Sequence, residues 1–215
     1  MRLLLLGANG QVGHALRGEL AALGDVACTT RSGTLPDGTA CERADFDRPG
    51  DLPALVERIA PDVVVNAAAY TAVDRAESER DAAFRANAEA PAALATACAR
   101  SGALLVHYST DYVFDGSGSS PRNEHDTASP INAYGRSKLA GEHAVAAAGG
   151  DWLILRTSWI YAARGQNFVR TMLRLGSEHE TLRVVDDQVG APTSARFLAD
   201  ATALIVRQAL AERRC

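Results

Sequence analysis

Glycines at positions 7, 10 and 13 stand between a short apolar run, residues 2–6, and a stretch with apolar residues at helical spacing. Few folds use that arrangement. Gly7 and Gly10 permit a tight turn and close backbone approach, and Gly13, already inside the helix, lets it pack closely on a sheet. A helix opening there offers unpaired N–H groups and a positive dipole end, which suits a pyrophosphate. The same glycines would serve a plain packing turn. In the first strand–helix unit, however, they favour a dinucleotide site and make Gly7, Gly10, Gln11, Val12 and Gly13 cofactor-binding candidates.

The rest of the chain continues the alternation. Val12, Leu16, Leu20 and Leu23 mark a helix over 11–23, which Gly24 is expected to stop. Residues 25–30 read as a second strand, 41–45 as a weak third, and 52–59 as a helix closed by Pro61. Residues 62–66 read as a strand buried on both faces, as parallel sheets require. A long alanine-rich helix is expected over 82–100, ended by Gly102, then a strand over 103–109. A loop rich in Gly, Ser and Pro covers 115–130, followed by a helix over 132–148 and a sixth strand over 152–156. The expected fold is α/β, a doubly wound parallel (Rossmann) sheet with a partial carboxyl-terminal substrate lobe. Residues 1–156 are assigned to the NAD(P)-binding domain and 157–215 to the partial lobe and its packing helices. In the latter a helix is expected near 168–176, a strand at 182–185 and a helix at 195–211.

Composition narrows the function. The 215 residues are 47% hydrophobic and 22% charged, with a net charge of −4, so no basic field invites nucleic acid or an anionic membrane. The apolar runs 3–6 and 63–69 are too short to span a bilayer. Met1 and Arg2 lead straight into a strand, so no signal peptide and a cytoplasmic location are expected. Cys28, Cys41, Cys98 and Cys215 show no metal-like spacing with the five histidines. Three packed thiols, an exposed Cys215 and no metal site are expected.

The end of the second strand, where NAD-preferring sites carry an acid, reads Thr29-Thr30-Arg31. Arg31 suits a 2′-phosphate, so NADPH is the preferred cofactor, with NADH second and Thr30 beside it. Asp45 and Phe46 fall where a strand end borders an adenine, and Ala69, Tyr70 and Thr71 where backbone passes the cofactor. Tyr134 and Lys138 lie four apart and share a helical face. A cation there favours the phenolate and lowers a tyrosine pKa of about 10, which makes Tyr134 a candidate acid/base. Thr110, at the end of the fifth strand, is placed to bond a substrate carbonyl or that phenol.

Six segments, 7–13, 65–74, 107–115, 134–142, 156–161 and 187–193, carry a resemblance that covers nearly the whole chain. The chain resembles the extended short-chain dehydrogenase/reductases, and among them the dTDP-4-dehydrorhamnose reductases. The resemblance implies reduction of a dTDP-sugar ketone at carbon 4, giving dTDP-L-rhamnose. Hydride would come from NADPH and the proton from Tyr134, with Lys138 lowering its pKa and holding the nicotinamide ribose. It places Thr110, Asp111 and Trp159 at the substrate and Tyr108 at the cofactor. Related dehydratases carry Asp-Glu after the threonine, whereas Asp111 is followed by Tyr112. Related epimerases retain NAD, against which the acid-free second strand argues. Family members normally continue past Arg214, so one wall of the sugar pocket is expected to be absent. A regulatory dinucleotide-binding protein, like the regulatory subunit of methionine adenosyltransferase, or a 4-ketoreductase for another nucleotide sugar are the alternatives. A homodimer and Mg2+ are left open, because Ala15 stands where some members carry a magnesium-binding carboxylate.

Overall fold

The computed structural model describes residues 1–212. The expected exposed thiol of Cys215 lies outside them. Six parallel strands form the sheet: β1 (Arg2–Leu6), β2 (Asp25–Thr30), β3 (Glu42–Arg43), β4 (Val63–Asn66), β5 (Leu104–Thr110) and β6 (Trp152–Thr157). Their spatial order is β3-β2-β1-β4-β5-β6. The chain winds outward from β1 to β3, then returns to the other side of β1 for β4. This is the doubly wound sheet expected from the sequence, and a crevice opens where the order reverses.

Side-chain alternation divides the core into two layers. Leu4, Leu6, Val64 and Leu105 face α2 (Leu52–Ile59), α4 (Ala90–Ser101) and α5 (Ala133–Ala147). Leu3, Leu5, Val65, Val106 and Tyr108 face α1 (Gln11–Ala21) and α7 (Ala195–Glu212). Because α7 packs along α1 and buries Leu198, Ala199 and Val206, a helix assigned to the carboxyl-terminal lobe completes a layer of the Rossmann domain. The remaining elements are α3 (Arg80–Phe84), the separate strand pair β7 (Ile160–Tyr161) and β8 (Thr193–Ser194), and α6 (Phe168–Glu178), none of whose residues is buried. Among the described residues no helix is long and apolar enough to cross a membrane. Cys28, Cys41 and Cys98 are free thiols, and burial pushes Cys98 up to about 12.

Four local expectations give way. Residues 182–185 form no strand. The third strand shrinks to two residues. The helix over 82–100 contains a π-helical turn at Arg85–Glu89. Pro91 supplies the reason: it has no N–H for the Asn87 carbonyl four residues earlier, and its ring excludes that carbonyl from the usual ladder. Finally, α1 ends at Ala21 before reaching Gly24, and Gly24 serves close packing, since a Cβ there would fall on the Met1 carbonyl oxygen.

The amino-terminal turn depends on the same kind of contact. Gly7 has φ +76°, a left-handed conformation that favours glycine. A Cβ on Gly13 would fall on the Gly7 carbonyl oxygen, whereas one on Gly18 in the same helix meets nothing within 4 Å. Gly13→Ala is expected to lower unfolding free energy by about 3 kcal/mol through overpacking. Gly18→Ala should raise it by about 1 kcal/mol through helix propensity. Urea denaturation of the two variants checks the contrast, and equal effects would refute the packing role.

Candidate active site

At the carboxyl ends of the strands lies a cavity of about 490 Å³. Gly7, Thr30, Arg31, Phe46, Ala69, Tyr70 and Thr71 all line it, so the tertiary structure brings seven of the expected residues to one wall system. Beside it, α1 begins at Gly10 with no side-chain cap and no acid in its first turn, which leaves its N–H groups and dipole uncompensated. Shape and charge there fit a dinucleotide.

Other expected cofactor residues stand elsewhere. Val12 and Gly13 are buried beneath the loop. Gln11 donates to the Gln166 carbonyl (3.2 Å) and accepts from Asn167 (2.7 Å), tying α1 to the carboxyl-terminal segment. Asp45 lines a smaller neighbouring cavity. The Thr30 hydroxyl accepts the N–H groups of Gly33 and Thr34, both at 3.0 Å, and thereby shapes the loop after β2. The sequence reading missed Asn9, Ala44, Asp47, Ala72 and Ala86 on the cavity wall. They are small or ordinary polar residues, and only position distinguishes them.

The second half of the site is built on α5. Asn132 caps this helix, its side chain accepting the Gly135 N–H at 2.7 Å. Tyr134 and Lys138 then face the end of β5, as their spacing requires. The Thr110 side chain lies close enough to the Tyr134 phenol to act on its pKa, and the Tyr112 ring meets Tyr134 edge-on at 5.6 Å. Burial pushes the phenol up to about 12; Thr110 opposes that rise, while Asp111 and Tyr112 reinforce it. The lowering expected from Lys138 does not set the direction: desolvation does, and the Lys138 ammonium is turned onto the Tyr108 carbonyl. Lys138 is the only lysine of the chain and is 2% exposed. Its Nζ donates to the Tyr108 carbonyl at 2.7 Å. Tyr108 itself turns its phenol away, onto Thr202 of α7 in the core, so only its backbone takes part in the site.

The family model for the RmlD substrate binding domain matches residues 1–215. The chain belongs to this family. It is 55% identical over 213 residues to a dTDP-4-dehydrorhamnose reductase of Burkholderia thailandensis, covering 99% of this chain and 68% of that protein. Identity to the reductase of Escherichia coli K12 is 48% over 210 residues, with 98% and 68% covered. Among solved structures, the dTDP-4-dehydrorhamnose reductase of Clostridium acetobutylicum superposes with a TM-score of 0.88 at 39% identity, covering 97% and 71% of the two chains. The Bacillus anthracis enzyme, solved with NADP, gives 0.87 at 38%, covering 96% and 70%.

In this RmlD-family chain a set of buried polar residues supports α5, and the sequence reading did not single them out for it. Asn87, displayed by the π turn, accepts the Tyr70 N–H (2.9 Å) and donates to both the Tyr70 carbonyl and Ser137 Oγ (3.0 Å each). Ser137 Oγ in turn donates to the Tyr134 carbonyl, so one asparagine links the cavity-lining loop at Tyr70 to the helix bearing the phenol. Glu142 is held by Arg156 through two bonds of 3.0 and 2.6 Å. His107 accepts from Asn66 at Nδ1, because the Asn66 oxygen already takes the Ala68 N–H. Burial and then Lys138 hold that imidazole well below its usual pKa, so it stays neutral. Asp111, expected at the sugar, receives the hydroxyls of Thr110 and Ser158. Trp159 follows with φ +45° and is 40% exposed. Left-handed backbone at a non-glycine residue is strained and clusters at functional segments. Among the described residues no three His, Cys, Asp or Glu side chains gather as around a metal ion.

Burial draws Lys138 down to about 8 from its ordinary 10.5, with Glu142 holding it up. Below about 8 the folded protein bears the cost of a buried ammonium. Between about 8 and 10.5 the unfolded chain binds more protons, so this residue makes stability rise with pH across that window. With a single lysine, 13Cε-lysine labelling yields one side-chain resonance, expected to titrate near 8. A midpoint near 10.5 would contradict the desolvation argument. In Lys138→Met the corresponding rise in stability should be absent.

Proposed function

We propose that this protein reduces the carbon-4 ketone of dTDP-4-dehydro-L-rhamnose (dTDP-4-keto-6-deoxy-L-mannose) to give dTDP-L-rhamnose, with NADPH as reductant and Tyr134 as proton donor. The observation that carries the reading is the convergence of Thr110, Tyr134 and Lys138 at the end of β5, on the carboxyl edge that also bears the dinucleotide-sized cavity, in a chain of this family. When bound, NADPH supplies a hydride, which forms the new C–H bond at carbon 4. The ketone oxygen then takes the Tyr134 proton, and the phenolate left behind is reprotonated from solvent. A phenol pushed up to about 12 stays protonated through the neutral range, which is the state a donor to a developing alkoxide needs.

Thr110 bonds the phenol and orients the carbonyl. Asp111, anchored by Ser158, and Trp159 face the sugar nucleotide, and Lys138 holds the nicotinamide ribose. Gly7 and the amino terminus of α1 receive the pyrophosphate. Phe46 borders the adenine, and Arg31 meets the 2′-phosphate.

Tyr134→Phe should lower kcat for NADPH oxidation with dTDP-4-dehydro-L-rhamnose by about 10²–10⁴-fold while NADPH binding is retained. Wild-type protein that binds NADPH without turning over this ketone would favour the binding-protein reading instead. Arg31→Ala should weaken NADPH about tenfold, the loss of one charge-assisted contact, and NADH much less. Calorimetry with both cofactors checks this, and an equal loss would refute the role of Arg31.

A further inference from the structure

The arginine assigned to the 2′-phosphate is already engaged. Arg31 Nε lies 3.4 Å from Asp45 Oδ1 and its Nη2 lies 3.3 Å from Asp47 Oδ2. The other oxygen of Asp47 faces Arg85 Nη1 at 3.8 Å. Both Arg31 and Asp47 line the large cavity, whereas Asp45 lines the neighbouring one. Asp45 is also fixed by accepting the Asp47 N–H at 3.2 Å. The carboxylate that stands between two guanidinium groups at the cavity wall is therefore that of Asp47.

From this geometry we infer that Asp47 is a specificity-determining residue that limits the preference for a 2′-phosphorylated cofactor. The inference rests on the cofactor reading above. A 2′-phosphate approaching Arg31 meets the negative charge of Asp47 and must take over a guanidinium that the carboxylate holds. A ribose 2′-hydroxyl carries no charge, meets no such repulsion, and is itself a donor for a carboxylate. The contest is winnable, because the Arg31 and Asp47 side chains are 69% and 47% exposed and exposed ion pairs contribute little. Asp47 thus keeps NADH within reach of a site whose arginine favours NADPH. Removing its charge frees Arg85 entirely and Arg31 in part.

The test is calorimetric binding of adenosine 2′,5′-bisphosphate and of ADP to the full chain, wild type and Asp47→Asn, with Glu178→Gln on α6 as a control for net charge. Asp47→Asn should tighten the bisphosphate about fivefold at low salt, the scale of one surface charge contact. ADP should change less than twofold, and the gain should shrink at high ionic strength. NADPH and NADH should follow the two fragments. An unchanged ratio between the two ligands, a weaker bisphosphate, or the same gain in Glu178→Gln would overturn the inference while leaving the cofactor reading intact. Failure of the wild type to bind either ligand, or either cofactor, would overturn the cofactor reading and this inference with it.

Discussion

Leu3 and Leu5 point to one face of the sheet and Leu4 and Leu6 to the other, and all four are fully buried. A parallel strand with both faces buried needs a helical layer on each side, and each parallel neighbour needs a crossover to reach it. The chain meets this demand by laying α1 and α7 on one face and α2, α4 and α5 on the other. Winding in two directions from β1 leaves a crevice at the carboxyl ends of β1 and β4, and the cavity stands there. Position of the site is thus a consequence of how the sheet is covered.

Chemistry at the site depends on a helix that buries charge. Lys138, Glu142 and the Arg156 that pairs with Glu142 lie along the contact between α5 and the β5–β6 edge, where two parallel hydrogen bonds join Glu142 to Arg156. Such pairs add little net stability, yet breaking one leaves an uncompensated buried charge. The Tyr108 carbonyl and Asn87 fix the same helix from the strand and from the π turn. Tyr134 is consequently held by backbone and buried side chains, with its phenol left for Thr110.

Much of this was legible in advance because it rests on local rules. The glycine loop, the strand alternation and the spacing of Tyr134 and Lys138 all follow from short-range geometry. Pro91 carried a readable signal for the π turn, but the alanine-rich pattern around it masked that signal. Asn87 stood out only as an amide among alanines, with nothing to show that it would reach Tyr70 and Ser137. Tyr108 was read as cofactor-facing. Period-two alternation on β5 turns it with Val106 toward α7, a helix that arrives almost a hundred residues later.

By itself, then, the sequence determined the fold class, the strand–helix order, the glycine turn and the shared face of Tyr134 and Lys138. Each depends on residues within a few positions of one another. Only the tertiary structure decided protonation and partners. Desolvation raised the Tyr134 phenol where a neighbouring cation alone would have lowered it, and α7 came to share a core layer with α1. It also gave Arg31 two carboxylates before any phosphate arrives. Burial and electrostatic partners are sums over the whole packed chain, so no local window contains them.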